Sequence, residues 1–384
     1  MENHNLNSLS LSKFPEFMGN RAVEKSKASD ELSSDIPAVN KLSKLLHPES
    51  QSFVVCEIIE HNEFCKSFLL KAENGCAYFS AGQYVSVFVD IEGKKYSRPY
   101  SLSSSPKDSL RGIYRITVKA VSGGLVSNYI LNNWEIGTKV TTSGPQGNFT
   151  YEPLRDASHV LAVAGGSGIT PFISLAKAIA EGDEDFSLTL LYGAKTESEI
   201  LFKDELEALS KKCEKIRTVY VLSHEDNPKY ENGFINESII KKYIPKNLFS
   251  VFICGPQAMI RFVKSELESF SLEKKYIRCE LPGEVFLDSQ NETVMITVNV
   301  HGEKSKVKAE KSESILRSLE KSGIYPPSSC RSGECGFCRS RLISGEVYIP
   351  EDMDKRRKAD LKYGYIHPCC TFPLTDIEME VFPK

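Results

Sequence analysis

The sequence of 384 residues lacks three features that would place it in a special class. Its longest apolar stretches, such as Val160 to Ala164 and Val251 to Cys254, fall far short of the ~18 residues of a membrane-spanning helix. Neither sign of charge dominates, since 48 Lys and Arg oppose 51 Asp and Glu. The N-terminal segment MENHNLNSLSLSKFPEF has no basic start followed by an apolar block. We therefore expect no membrane span, no nucleic-acid partner, no secretory signal and a cytoplasmic location.

Internal repeats and low-complexity tracts are also absent, and the composition is that of an ordinary folded chain. Hydrophobic residues make up 41% and charged residues 26%. The length is enough for two or three domains. Eleven cysteines are present, an odd number, and five of them crowd near the C-terminus. In a reducing compartment, such crowding favours a metal site over disulfides.

Changes in the hydrophobic pattern divide the chain into segments. Residues 51–155 contain short alternating runs such as QYVSVFVDI and YRITVKAV, which predict an antiparallel barrel or sandwich. Residues 156–281 alternate buried strands with helical patterns, which predicts a parallel sheet covered on both faces. A polar link at 282–290 leads to a last segment, 291–384, with a hairpin pattern followed by a helix.

The first fifty residues form a polar N-terminal extension. One short helix is predicted there from Pro37 to His47, with Val39, Leu42 and Leu46 at helical spacing. We expect the rest of this extension to be mobile.

The strongest chemical signal is a set of cysteines. Cys330, Cys335 and Cys338 stand in a CxxxxCxxC arrangement, and Cys369 follows after thirty intervening residues. This is the plant-type ligand spacing of a [2Fe-2S] cluster. Gly333 and Gly336 allow the backbone to curl around such a cluster.

Alternatives to this cluster are weaker. A structural zinc site normally uses paired CxxC knuckles, and the chain has a single asymmetric arrangement. A Rieske centre needs two histidine ligands, and His367 stands alone beside Pro368. Cys369 and Cys370 both compete for the role of fourth ligand, and Cys369 is the preferred one.

A second signal is the segment AGGSGITPF, placed where a buried strand ends and a helix begins. Gly166 and Gly168 permit the close approach of a pyrophosphate. Thr170 and Pro171 are expected to be the N-cap and the first helical residue. The alternative is that these glycines only form a tight turn. The strand-turn-helix context favours a nucleotide site.

A third signal comprises RPYSLSSSP and, one strand later, SGGLVSNYI. Arg98 and Ser127 suit phosphate oxygens, Tyr100 offers a flat face to a ring system, and Gly123 and Gly124 allow close backbone approach. By themselves these residues are more typical of an edge strand and a turn than of a cofactor site.

Together and in this order, the three signals resemble the ferredoxin-NADP reductase superfamily, in the members with a plant-type ferredoxin domain at the C-terminus. The resemblance covers residues 52–384. It implies a multidomain α+β fold with an antiparallel flavin-binding β-barrel, an α/β nucleotide domain with a parallel sheet and a β-grasp ferredoxin domain.

The resemblance also implies roles for individual residues. The family's RxYS motif places Arg98, Pro99, Tyr100 and Ser101 at the flavin, and its GGxxS segment places Gly123, Gly124 and Ser127 at the pyrophosphate. Its nucleotide loop and CGP motif correspond to Gly166, Gly168, Thr170, Pro171, Cys254, Gly255 and Pro256. Tyr100, Ser101 and Cys254 would lie at the reacting atoms. Family members commonly read CQTxP at the fourth ligand, so CCTFP aligns Cys369 with the ligand and leaves Cys370 as a departure.

The sequence also favours particular cofactors among those that members of the family use. The SGGLVSNY form resembles that of FAD-binding relatives, which implies FAD, with FMN as the alternative taken by phthalate dioxygenase reductase-like members. His224, Glu225 and Asp226 follow the strand RTVYVLS, and two carboxylates there repel a 2′-phosphate, which favours NADH. NADPH is the alternative, because Lys195 could attract that phosphate.

These expectations describe a reductase that passes electrons from NADH through flavin and the cluster, one at a time, to a protein acceptor. Family members reduce oxygenases, hydroxylases and the hybrid cluster protein. The alternative is an obligate electron-input subunit of a larger complex, with the N-terminal extension as an assembly element. The basic run Lys355, Arg356, Arg357 and Lys358 is either a partner contact or, more ordinarily, a solvated loop.

Overall fold

The computed structural model describes residues 14–27, 38–244, 247–280, 287 and 292–381. The chain forms two compact units, Met1–Leu45 and Leu46–Lys384. The first unit contains helix α1 (Phe14–Ser26) and most of helix α2 (Ala38–Leu46). Helix α2 lies where the spacing predicts one. Helix α1 is a helix that the sequence pattern did not predict, within the stretch expected to be mobile. It has Glu16 in its first turn and Lys25 in its last, where each charge complements the helix dipole. The rest of that expectation lies outside the described residues.

The second unit begins with an antiparallel half-barrel. Its six strands have the order β4-β3-β6-β1-β2-β5, and a bridge between Leu102 and Ile116 joins the two edges. Phe53, Phe68 and Tyr114 are buried inside it, as the alternating pattern predicts. The elements are β1 (Gln51–Asn62), β2 (Cys65–Ala72), β3 (Tyr84–Ile91), β4 (Lys94–Ser101), α3 (Pro106–Leu110), β5 (Ile113–Lys119), α4 (Leu125–Asn133) and β6 (Lys139–Thr142).

A parallel six-stranded sheet follows, in the order β10-β9-β8-β7-β11-β12. Alternate residues of β7 enter separate hydrophobic clusters on the two faces, with Val160 in one and Leu161 in the other. A sheet covered on both faces needs continuous apolar strands, which explains the unbroken runs in the sequence. The elements are β7 (His159–Gly165), α5 (Thr170–Ala180), β8 (Ser187–Ala194), α6 (Lys203–Lys212), β9 (Ile216–Leu222), β10 (Glu231–Asn232), α7 (Glu237–Tyr243), β11 (Ser250–Cys254), α8 (Gln257–Glu266) and β12 (Ile277–Glu280).

The C-terminal part is a mixed five-stranded sheet of order β14-β13-β19-β15-β17, with a separate pair β16-β18. Strands β13 and β19 are parallel, and helix α9 packs Ile315 and Leu319 against them. This is the expected β-grasp arrangement. The elements are β13 (Thr293–Val300), β14 (Glu303–Glu310), α9 (Ile315–Lys321), β15 (Ser340–Ser344), β16 (Val347–Tyr348), α10 (Lys358–Lys362), β17 (Tyr365–Ile366), β18 (Phe372–Pro373) and β19 (Ile377–Val381).

Two expectations from the sequence concern the remaining parts of the chain. The polar link predicted at 282–290 lies outside the described residues, except for Leu287. Within the described ranges, none of the helices has both the length and the apolar character needed to cross a membrane.

Candidate active site

The predicted nucleotide loop lies at the carboxyl edge of the parallel sheet. Strands β7 and β11 are neighbours there, with Ala164 opposite Cys254. A β-carbon on Gly168 would overlap the carbonyl group of Cys254, so only glycine lets the two turns pack this closely. Gly166 has a φ of 54°, in the left-handed region that favours glycine. The edge formed by the ends of parallel strands is where open α/β sheets bind ligands, and the glycine cradle fits a nicotinamide nucleotide.

The prediction that Thr170 caps the following helix is wrong. A 3₁₀ turn at Gly166–Ile169 runs directly into α5, whose first residue is Thr170. The Thr170 hydroxyl donates to the Ser167 carbonyl at 3.0 Å. Because the glycine turn is itself helical, Thr170 lies inside the helix and bonds backward. Pro171 is in the first turn, where its missing N–H costs nothing.

The predicted flavin residues lie on β4, at the edge of the half-barrel. Tyr100 is partly buried, and this burial raises the pKa of its phenol well above the usual value, while the nearby Arg98 opposes the shift. Arg98 donates to the Ser97 carbonyl at 2.8 Å. A cation beside a partly buried aromatic face fits a phosphate-bearing ring cofactor.

The segment SGGLVSNYI is a turn followed by a helix, α4. Gly124 is its N-cap, and Ser127 lies in the first turn. A β-carbon on Gly124 would lie 2.7 Å from the Ser127 hydroxyl oxygen, so the turn has no room for a side chain. The N–H groups of a helix start attract anions, which fits the pyrophosphate predicted for Gly123, Gly124 and Ser127.

The four predicted cluster ligands come together. The thiol of Cys330 lies beside those of Cys335 and Cys369, and the Cys369 thiol lies beside that of Cys338. The Cys330 sulfur also accepts backbone N–H groups from Ser332 at 3.5 Å and from Cys335 at 3.4 Å. Such N–H groups stabilise negative charge on sulfur, so the loop fits an iron–sulfur cluster.

The Cys370 thiol lies beside that of Cys369 and also has backbone partners. Its thiol donates to the carbonyls of His367 at 3.4 Å and Met353 at 3.7 Å. A β-carbon on Gly333 would lie 2.8 Å from the Cys370 sulfur, so this thiol packs beneath the loop. Among the described residues, no group of three or more His, Cys, Asp or Glu is placed to hold one metal ion. A [2Fe-2S] cluster, in contrast, takes its ligands on two iron atoms.

Glu280, at the end of β12, is a site residue that the motifs missed. Its carboxyl group lies 3.5 Å from the Ser101 hydroxyl. Burial, and then the charge of Glu334 on the cluster loop, raise the pKa of Glu280 to about 8. Glu280 is also close enough to the buried Cys254 to raise the pKa of that thiol further, after burial itself. Residues from all three domains of the second unit therefore meet here. In the sequence, only recognition of strand β12 could have revealed the position of Glu280.

A second missed feature is the contact between the flavin strands and the cluster loop. The hydroxyls of Ser86 and Ser329 lie 2.8 Å apart and are both buried. The Ser97 hydroxyl donates to the Ser328 carbonyl at 2.9 Å. Since Ser329 directly precedes Cys330, these bonds place the cluster loop against β3 and β4.

The acidic residues after β9 lie at the same carboxyl edge as the nucleotide loop. The Glu225 carboxylate accepts the Glu197 backbone N–H at 2.8 Å, so its hydrogen-bond partner lies in the same domain. Asp226 and His224 are exposed, and so is Lys195 at the end of the neighbouring strand. A cation and carboxylates are thus both present, as the sequence indicated.

Comparisons with known proteins agree with this architecture. Residues 52–151 match the oxidoreductase FAD-binding domain, residues 162–265 the oxidoreductase NAD-binding domain and residues 298–374 the 2Fe-2S iron-sulfur cluster binding domain. The order and content of these three domains define an oxidoreductase that combines flavin, nicotinamide nucleotide and iron–sulfur domains. The chain belongs to the ferredoxin-NADP reductase superfamily, in the branch with a C-terminal [2Fe-2S] ferredoxin domain, which confirms the predicted family and fold class.

Two curated proteins and one solved structure are similar to this chain over part or most of its length. The glycine betaine monooxygenase reductase subunit of Chromohalobacter salexigens is 25% identical over 84% of this chain and 93% of its own. NADH-cytochrome b5 reductase 1 of Dictyostelium discoideum is 32% identical over 62% of this chain and 84% of its own. The structure of phthalate dioxygenase reductase, described as modular for electron transfer from pyridine nucleotides to [2Fe-2S], matches with a TM-score of 0.62 and 26% identity. That match covers 86% of this chain and 98% of the other.

Proposed function

We propose that the protein is an NADH-dependent reductase that delivers electrons singly, through FAD and a [2Fe-2S] cluster, to a protein acceptor. The acceptor class is an oxygenase or hydroxylase component. The observation that carries the proposal is the meeting of the flavin strand, the nucleotide turn and the cluster loop around Ser101, Cys254, Glu280 and Glu334. Relatives named as monooxygenase reductase subunits support the acceptor class.

On the flavin side, Arg98 and the N–H groups at the start of α4 would hold the phosphates, and Tyr100 would pack beside the ring. Pro99 and Ser101 complete this strand, and Ser127 complements the glycine turn. When bound, the flavin supplies the exchange between a two-electron hydride donor and a one-electron cluster. The task of the chain is to fix distances and exclude water.

On the nucleotide side, the turns around Gly168 and Gly255 would receive the nicotinamide nucleotide, with Cys254 beside the reacting ring. Gly166, Thr170, Pro171 and Pro256 shape the same edge. The exposed carboxylate of Asp226 disfavours a 2′-phosphate, which supports NADH as the donor.

For the cluster, we propose Cys330, Cys335, Cys338 and Cys369 as ligands. Cys370 bonds to backbone carbonyls instead, which supports Cys369 as the fourth. We also propose a cytoplasmic location, since a reducing compartment keeps these thiols available. The domain boundaries 51–155, 156–281 and 291–384 are part of the same proposal.

The experiment is anaerobic addition of NADH to the reconstituted holoprotein, followed by absorption and electron paramagnetic resonance (EPR). We expect the flavin absorption to bleach and the signal of a reduced [2Fe-2S] cluster to appear. Cys370→Ser should retain the cluster, and Cys369→Ser should lose it. A holoprotein that carries flavin and iron but does not bleach with NADH would refute the proposed function.

A further inference from the structure

Of the four proposed ligands, Cys335 is exposed, whereas Cys330, Cys338 and Cys369 are buried at 3–4% exposure. Cys335 lines a cavity of about 540 Å³. The other walls include the rings of Phe337, Tyr365 and His367 and the cations of Arg339, Lys355 and Arg357. We call this the Cys335 cavity. It lies where the cluster loop meets solvent.

One of the two carboxylates in this cavity is paired within the same domain. Asp360 is buried, pairs with Arg339 at 2.7 Å and accepts the Arg357 backbone N–H at 3.0 Å. Glu334, the second carboxylate, is exposed and lines the same cavity as Lys355. Three cations therefore oppose two carboxylates in the lining.

The residues of the basic run Lys355–Lys358 differ in their surroundings. Arg356 pairs with Asp354 through bonds of 2.8 and 2.7 Å and does not line the cavity. Lys355 and Arg357 are exposed and do line it, and the Arg357 side chain also lies 3.4 Å from the Asp360 carboxylate. If this run were only a solvated loop, nothing would explain why Lys355 and Arg357 both line one cavity.

We propose that the Cys335 cavity is the docking site of the acceptor protein, and that the acceptor presents carboxylates to Lys355 and Arg357. This inference rests on the proposed function, because it assigns the exit of electrons from the proposed cluster. An acceptor must approach the exposed ligand, and the cationic rim selects an acidic partner. The exposed edge of Phe337 adds apolar contact beside Cys335.

The test uses holoprotein reduced with dithionite, so that it does not depend on NADH or on the nucleotide site. Hexacyanoferrate(III) is an anionic one-electron oxidant, and hexaammineruthenium(III) is a cationic one. Each takes one electron from the reduced cluster. Rapid-freeze EPR follows the loss of the reduced-cluster signal at increasing ionic strength. For the wild type, we expect the anionic oxidant to react more slowly as the salt concentration rises. The rate of the cationic oxidant should not fall in this way.

The variants are Lys355→Glu alone and Lys355→Glu with Arg357→Gln, because Arg357 also precedes α10 and its loss could disturb that helix. At low salt, each variant should be oxidised by hexacyanoferrate(III) about threefold or more slowly than the wild type, and this rate should depend less on salt. Control variants Lys306→Glu and Lys308→Glu lie on β14, at the opposite edge of the same sheet, and are exposed.

If the control variants slow oxidation by hexacyanoferrate(III) to the same extent, the proposal is overturned, because only the net charge of the protein would then matter. An unchanged anion rate in Lys355→Glu, with a normal EPR spectrum of the cluster, would overturn it as well. Failure of NADH to bleach the flavin would refute the proposed function and would leave this result intact, since dithionite supplies the electrons.

Discussion

Glu280 is a carboxyl group placed where its charged form is disfavoured. Burial, with Glu334 as the second cause, raises its pKa from 4.5 to about 8. In the unfolded chain the same group loses its proton near the ordinary value. The folded state therefore binds the proton more tightly. The resulting stabilisation is complete below about pH 4.5 and is lost as the pH rises through about 8.

We predict that Glu280→Gln removes this dependence, because glutamine stays neutral at every pH. The wild-type Tm should fall between pH 5 and pH 9, and the Tm of the variant should fall less. The difference corresponds to a free energy on the order of a few kcal/mol. Calorimetry of the holoprotein measures it. The exposed Glu268→Gln is the control, and equal slopes in all three proteins would contradict the prediction.

Gly168 makes a different prediction at the same scale. An alanine there would push against the backbone of Cys254 and Gly255, which cannot move aside as a flexible side chain can. We expect Gly168→Ala to cost about 1–3 kcal/mol and to weaken NADH binding. Thermal unfolding and a titration of NADH quenching check this. Gly193→Ala on β8 is the matched control, since its nearest contacts would be at an ordinary 3.5 Å.

At the scale of elements, strands β3 and β4 bind the cluster loop through paired hydroxyls. We predict an energetic coupling between Ser86 and Ser329, whose oxygens are 2.8 Å apart and buried. Each single change to alanine should cost about 1 kcal/mol, and the double variant should cost less than the sum. Urea unfolding of the four proteins in the cycle measures the coupling. Strict additivity would show that the two hydroxyls do not interact.

The elements also show where a sequence pattern succeeds. Strands β7, β8, β9 and β11 were predictable because a sheet buried on both faces requires unbroken apolar runs. Helix α4 was not, because SGGLVSNYI has turn residues at its start and a short apolar face. Strand β12 was missed because its four residues are only half-buried and carry no period long enough to detect.

At the scale of the whole molecule, a partly buried ionic cluster joins the half-barrel to the parallel sheet. Glu205 on α6 pairs with Lys177 on α5 at 2.7 Å and with Arg115 on β5 at 3.0 Å. Burial acts to raise the pKa of Glu205, but Arg115 and Lys177 together lower it. This stabilisation is present above the ordinary pKa of about 4.5 and is lost as the pH falls through the lowered value.

We predict that Glu205→Gln destabilises the protein by about 2–4 kcal/mol at neutral pH, because two cations are left without their shared carboxylate. The penalty should shrink as the pH falls below about 4.5 and then through the lowered pKa, because the wild-type carboxylate takes up its proton over that range. Chemical unfolding at pH 7 and at about pH 3 compares the two proteins. Asp204→Asn on the same helix is exposed and should change little. An equal penalty at both values would rule out an ionic origin.

The sequence by itself determined the kinds of chemistry and the order of the domains. Ligand spacing from Cys330 to Cys369 and the glycine turns are local properties, since neighbouring residues act together there whatever the rest of the chain does. Only the tertiary structure decided which groups meet. Glu280 approaches Ser101 from a distant strand, and Lys355 and Arg357 turn to one cavity while Arg356 turns away. Such contacts depend on how separate elements pack, and a linear pattern does not contain that information.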